Sequence, residues 1–198
     1  MGLRKLWHWI VSPSRGVAAG LLLIAGGLAG VVFLGGLHTA IQFTNRTEFC
    51  VSCHEMSTVY EEYQKSVHFQ NASGVRAGCP DCHVPHELGP KLIRKMEAST
   101  ELWGSMTGKI GTKEKFEKHR YEMARREWTK MKETDSRECR NCHSREGMSK
   151  ELQSEKAWTR HEKAKAEGKT CIDCHFGIAH TEPDGPGPQE LFAKPPAQ

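Results

Sequence analysis

The sequence predicts a mainly α-helical protein, with a single N-terminal transmembrane helix followed by a small α-helical domain that has few or no strands. Three observations carry that expectation. Residues 17–37 hold no charged side chain, and a helix rising 1.5 Å per residue over that length crosses about 30 Å of hydrocarbon. No later stretch alternates apolar and polar residues with a period of two, the pattern of a half-buried strand. The motif Cys-x-x-Cys-His follows the apolar run four times, at Cys50/Cys53, Cys79/Cys82, Cys139/Cys142 and Cys171/Cys174, and it uses all eight cysteines.

Taken in order, residues 1–16 carry Arg4, Lys5 and Arg15 and no acidic residue. That predicts a cytoplasmic N-terminus, an anchor over residues 17–38 and a periplasmic domain over 39–182. A cleaved signal peptide is the competing reading, but its apolar core is typically about 7–15 residues, so an uncleaved anchor is favoured. Val59, Tyr63 and Val67 step by four through Ser57–His68 and predict a helix there. A second helix is expected from Glu87 to Met106, with Leu88, Leu92, Met96, Leu102, Trp103 and Met106 on one side and Lys91, Arg94 and Lys95 on another. Thr112 is placed to cap a third, running to Glu133, and Ser149 a fourth, ending at Gly168. Residues 183–198, rich in proline and glycine, read as an extended or disordered tail.

The cysteine pattern dictates the chemistry. In a c-type cytochrome the two thiols take up the haem vinyl groups as thioethers and the next histidine is placed to bind the iron. Zinc ribbons, thioredoxin-like pairs and disulfides have no need of a histidine after every second cysteine. Four covalently bound c-type haems would also supply the core and cross-links that a chain with 37% hydrophobic residues lacks. The formal charge of +4 does not point to nucleic acid, because two propionates on each of four haems bring the balance to about −4. First cysteines are 29, 60 and 32 residues apart, which suggests two di-haem halves.

His54, His83, His143 and His175 are the default iron ligands. Among the other histidines, His68, His86, His119, His161 and His180 fall in the haem domain. His180 and His86 follow their motif histidines too closely to cross their own haems, so each would have to reach a neighbouring one. His68 and His161 each stand about ten residues before a motif, a distance compatible with a haem elsewhere in the domain.

The phrases from Phe49 to Met56, Cys79 to His86, Ser136 to His143 and Cys171 to His180 resemble the NapC/NirT family of membrane-anchored tetrahaem quinol dehydrogenases. The likeness covers residues 15 to about 183, is strongest to the branch serving periplasmic nitrate reduction, and extends more distantly to the membrane subunits of nitrite reductase complexes. It implies that Met56 rather than His54 binds the first haem, leaving the other face open near the quinol. It further implies His68 as sixth ligand of the fourth haem and His180 as that of the third. We assign His161 to the second haem, with His86 as runner-up.

The same resemblance implies oxidation of menaquinol or ubiquinol from the membrane pool and delivery of electrons to a periplasmic nitrate reductase, or to a nitrite or other terminal reductase; homo-oligomerisation stays open. The family's quinol site uses a lysine and a carboxylate, and Lys95 and Glu101 fit those positions, with Lys91 one turn away. As a plain solvated face these residues gain nothing, since Lys91–Lys95 and Glu97–Glu101 are like-charged pairs at i,i+4. A haem enzyme reducing a small oxyanion itself, or a redox anchor without quinol chemistry, are the readings from other classes. No catalytic pocket or transducer segment in the sequence speaks for either.

Overall fold

The uncharged run forms helix α1, Ala19–Thr44, in the computed structural model of the protein, which describes residues 2–5, 7 and 19–193. The rest of the basic N-terminal segment, the first two residues of the expected anchor and the last five of the tail lie outside the described residues. By length and composition α1 can cross a membrane. It continues past residue 38 because no ionised side chain interrupts it before Arg46. The hydroxyls of Thr39 and Thr44 also bond back to the carbonyls of Gly35 and Ala40, satisfying their polar groups inside the helix.

Residues 45–198 form a second unit, built of helices and turns with no strand among the described residues. Its helices are α2 (Thr47–Cys50), α3 (Ser57–Tyr63), α4 (Cys79–His83), α5 (Leu88–Met106), α6 (Lys113–Glu133), α7 (Arg137–Arg140), α8 (Glu155–Ala166) and α9 (Pro188–Leu191). Single 3-10 turns cover His54–Met56 and Cys171–Asp173. Each Cys-x-x-Cys-His thus sits on or beside a very short helical turn, while the long helices α5, α6 and α8 run between them.

Helix ends follow local chemistry. Thr112 caps α6 by accepting from the Lys115 amide. Helix α3 stops at Tyr63, short of His68, because the Tyr63 hydroxyl donates to the Ala77 carbonyl at 2.5 Å and its ring meets Phe69 edge-on. Ser154, not Ser149, caps α8; Ser149 is spent on a tight turn, accepting from the Glu151 amide. Gly168, at φ +64°, ends α8 in the left-handed conformation that glycine adopts without strain.

The buried apolar side chains are few: Tyr63, Phe116, Trp128 and Ile172 among the described residues. Of the stretch read as an extended or disordered tail, the described residues 183–193 are packed against the rest of the unit. Tyr121 donates to the Pro186 carbonyl at 3.1 Å, Pro188 is fully buried, and α9 packs on the turn at Cys171–Asp173. Gly185, at φ +140°, lies so close to the Tyr121 ring that a Cβ would clash with it. The glycines that read as disorder instead let the backbone lie flat on aromatic rings.

A buried ion pair ties three parts of this unit together. Arg120 Nη2 meets Glu62 Oε2 at 2.5 Å with both side chains less than one-fifth exposed, and the Thr181 amide and carbonyl bond to the same two groups. Burial alone would raise the Glu62 carboxyl, but the bonds from Arg120 and Thr181 outweigh it and hold it below the ordinary 4.5. Its contribution to stability is therefore complete above pH 4.5 and is lost as the pH falls through the lowered value. Glu62→Gln should cost roughly 2–3 kcal/mol at neutral pH by stranding the arginine, and should flatten the acid side of the stability profile. Thermal unfolding of the full-length protein between about pH 3 and 7 checks both; equal melting of variant and parent across that range would mean the pair contributes nothing.

Candidate haem site

Six histidines meet in three facing pairs. The ring centroids of His83 and His180 are 6.3 Å apart, those of His68 and His143 6.3 Å, and those of His161 and His175 6.0 Å. A metal–imidazole bond is about 2.0–2.1 Å and the nitrogen lies about 1.1 Å from the ring centre, so two rings bound to opposite sides of one ion have centroids roughly 6 Å apart. Each pair joins one histidine of a Cys-x-x-Cys-His motif to one outside it, the donor set of a bis-imidazole haem iron. Burial pushes His180 and His175 down, with the facing ring of each pair adding to the effect; that favours the neutral form in which imidazole binds metal.

The partition among motifs differs from the expected one. His180 faces His83 of the second motif rather than serving the third. His68 faces His143 of the third rather than serving the fourth, and His161 faces His175 of the fourth rather than serving the second. The causes are local. The turn at Gly168 folds α8 back over the motif that follows it, bringing His161 to its own neighbour. His180 is held beside α3 by a contact between its Nδ1 and the Val59 carbonyl at 3.2 Å. His86 stays outside the pairs, exposed and 3.9 Å from Asp81, and His119 turns its Nδ1 to the Lys115 carbonyl on the exposed side of α6.

The cysteines form a connected series. The Cys50 thiol touches that of Cys79, and Cys139 touches Cys171. Between these two couples α4 packs on α7, with Cys82 and Cys142 as neighbours. Motifs one to four are therefore consecutive in space as in sequence. The halves also repeat in detail: Thr47, three residues before Cys50, bonds Cys79, and Ser136, three before Cys139, bonds Cys171. Asp81 and Asp173 each accept from the amide three residues earlier, at 2.7 and 2.6 Å. Arg94 fits an attached haem as well, since its Nε and Nη1 are buried with no acceptor among the described residues, and propionates are the acceptors such donors need.

The first motif is unlike the others. His54 is exposed, and its Nε2 lies 3.1 Å from the Gly111 carbonyl while its Nδ1 faces Glu55 at 3.4 Å. No second imidazole faces it among the described residues, and Met56 is the nearby half-buried donor. Helix α5 runs alongside. Lys95 is half-buried, and burial pushes its ammonium down against the opposing influence of the Cys50 thiol; Lys91 lies one turn before it. Glu101 is not brought to that side. Six residues on, it stands about 120° round the helix from Lys95 and pairs with Arg94 at 3.0 Å, largely exposed.

Two carboxylates not singled out by sequence occupy more central places. Glu55, within the first motif's turn, is buried and accepts from Ser105 Oγ at 2.6 Å, a bond that holds it below the ordinary carboxylate range. Glu127 on α6 lies 3.4 Å from His83 Nδ1, and Lys130 and Arg94 stand at its other oxygen. Burial alone would raise Glu127, but His83, Lys130 and Arg94 together hold it at about 2. The only sequence signal for Glu55 is its place directly after a Cys-x-x-Cys-His; Glu127 had none, because its contacts are made across helices.

Residues 12–185 match the family model described as NapC/NirT cytochrome c family, N-terminal region. The chain is 54% identical over 183 residues to the cytochrome c-type protein NapC of Escherichia coli, covering 92% of this chain and 91% of that one. It is 53% identical to the denitrification system component NirT of Stutzerimonas stutzeri, over 87% of each chain, and 49% identical to NapC of Paracoccus pantotrophus, over 98% of this chain and 83% of that one. No solved structure matches. With four haem-attachment motifs, three facing imidazole pairs and a helix fit to anchor it in a membrane, the chain belongs to the NapC/NirT cytochrome c family of electron-transfer proteins, which carry covalently bound haem c.

Proposed function

We propose that this protein is a tetrahaem quinol dehydrogenase, taking electrons from membrane quinol at its first motif and delivering them to a periplasmic reductase, with nitrate reductase as the first expectation. The observation that carries this reading is the asymmetry of the motifs: among the described residues three have a second imidazole in place and the first does not. An iron with two imidazoles is closed to ligands and suited to passing electrons; a site lacking the second one has a face to offer a substrate. Haem c supplies reversible one-electron storage when bound.

The residues then divide the work. Cys50, Cys53, Cys79, Cys82, Cys139, Cys142, Cys171 and Cys174 fasten four haems, and the contacts between motifs keep successive groups adjacent. His83 with His180, His143 with His68, and His175 with His161 hold three irons, and Met56 the first. Lys95 hydrogen-bonds the quinol oxygen, with Lys91 adding positive charge. Glu101, held by Arg94 on an exposed part of α5, accepts the released proton on its carboxylate and passes it to solvent. Leu88, Met96, Leu102, Trp103 and Met106, all more than half exposed on α5, give an apolar ring and its isoprenoid tail an approach beside Lys95. The basic residues before α1 keep the N-terminus cytoplasmic and the haem domain periplasmic. The names of the relatives, NapC and a denitrification component, support nitrate or another nitrogen oxyanion as the final oxidant.

Losing one charged hydrogen bond to the substrate costs roughly ten- to a hundredfold in rate. Lys95→Gln should slow quinol-driven haem reduction by that factor in stopped-flow absorbance while leaving dithionite reduction unchanged; equal quinol rates would remove Lys95 from the site. Glu101→Gln, measured the same way, should slow the quinol reaction less, and a rate equal to the parent's would take Glu101 out of the proton path.

The ligand at the first motif is checked separately. Met56→Leu should convert one haem of four to a spectrum without an axial thioether, and His54→Ala should leave the spectrum unchanged. The reverse pattern in magnetic circular dichroism would make His54 the ligand.

A further inference from the structure

The imidazole pairs differ in what stands behind them. His83 Nδ1 faces a carboxylate oxygen of Glu127, His161 Nδ1 faces the amide oxygen of Gln153 at 2.6 Å, His180 Nδ1 faces a backbone carbonyl, and His68 Nδ1 is buried with no partner among the described residues. A hydrogen bond from Nδ1 raises the electron donation of Nε2 to a bound metal, and a charged acceptor raises it more than a neutral one. Stronger donation stabilises ferric over ferrous iron and lowers the reduction potential.

We propose that Glu127 is a positioning residue for His83, its carboxylate fixing the ring's tautomer and orientation and giving the haem held by His83 and His180 a lower potential than the haem held by His143 and His68. The inference rests on the reading that these imidazole pairs hold iron. The carboxylate is built for the task, because its two oxygens have separate duties. Oε2 faces His83 Nδ1, while Oε1 is held by Lys130 Nζ at 3.2 Å and by Arg94 Nη2 at 3.9 Å. The cations belong to a larger set. Arg94 also pairs with Glu101, and Lys130 approaches Glu97 at 3.5 Å. Three carboxylates against two cations leave the set net negative beside His83. Through Arg94 it also ties α5, which carries Lys95, to the ligand of the next motif.

The test is a spectroelectrochemical titration of the full-length haem-loaded protein in detergent, with the low-spin haems followed by electron paramagnetic resonance. Glu127→Gln keeps the shape and an acceptor oxygen but removes the charge. It should make one haem about tenfold easier to reduce, which for one electron is a rise of about 59 mV, and should shift that haem's resonance while the others move less than threefold. Lys130→Gln leaves the carboxylate less neutralised and should move the same haem in the opposite direction, a sign that loss of packing would not produce. Glu122→Gln, on an exposed position of the same helix, should move none. All four potentials unchanged, or all shifted together, would overturn the proposal. If Glu127→Gln lost its haem, an unmoved potential in Lys130→Gln would overturn it alone. His180→Met separates the underlying reading: if it left untouched the resonance that Glu127→Gln shifts, the His83–His180 pairing would fail rather than the role of the carboxylate.

Discussion

Two imidazole rings about 6 Å apart leave room for one metal ion between them, and meeting that spacing three times constrains nearly everything in the haem domain. Each pair draws one ring from a Cys-x-x-Cys-His turn and the other from a distant or reversed part of the chain. The chain must therefore close long loops whose entropy has to be recovered from contacts, yet only a handful of apolar side chains among the described residues are buried. Such a core cannot by itself hold a unit of this size. The long helices make sense in that light: α6 and α8, both strongly polar, carry Glu127 and His161 to fixed positions, and α5 carries Lys91, Arg94 and Lys95 beside an exposed apolar face. The protein part is a frame for what the motifs attach.

Repetition explains how one design meets the constraint twice. In both halves a hydroxyl residue three positions before the first cysteine of one motif bonds the first cysteine of the next, and an aspartate inside that next motif receives the amide just ahead of it. A bond that sets the backbone entering the turn also sets where the thiol points. Having the same device in both couples gives them the same thiol contact, Cys50 to Cys79 and Cys139 to Cys171. The halves differ where chemistry differs. The third motif finds its second imidazole in His68, and the first has none among the described residues.

Much of this was legible in the sequence, and what was not has a physical reason. The mainly helical fold and the apolar span follow from periodicity and charge, which are local. Spacing also indicated that His180 could not cross its own haem, but which neighbour it reaches depends on where α3 lies, 121 residues away along the chain. His161 was misplaced because a left-handed glycine reverses the chain after α8, and a glycine in sequence does not state its φ. Lys95 and Glu101 look paired on a line of text, but six residues of helix separate them by about 120°. Glu55 and Glu127 gain their positions from Ser105 and His83, 50 and 44 residues distant, so no window of sequence reveals them. The packing of residues 183–193 shows the limit of composition: glycine and proline permit disorder, and equally permit backbone to press against Tyr121 and Phe176.

The charges around Glu127 carry one more consequence. Burying a guanidinium costs several kcal/mol unless its donors are met, and Arg94, with its side chain only 12% exposed, meets Glu101 and Glu127 through Nη2 alone. Its Nε and Nη1 have no acceptor among the described residues, although the Cys50 and Cys79 couple is near enough for Arg94 to lower the charge cost at Cys50. An arrangement that leaves two donors of a buried arginine to be satisfied by something outside the polypeptide is incomplete as a fold and complete as a cofactor site. On that argument the polypeptide's stability and its cofactor loading are one quantity rather than two. The cluster that supports His83 and the donors that would receive a propionate are then parts of the same object, with Arg94 as the shared member. Its placement on α5, between Lys91 and Lys95, makes the helix of the proposed quinol site also a helix the haem groups hold in place.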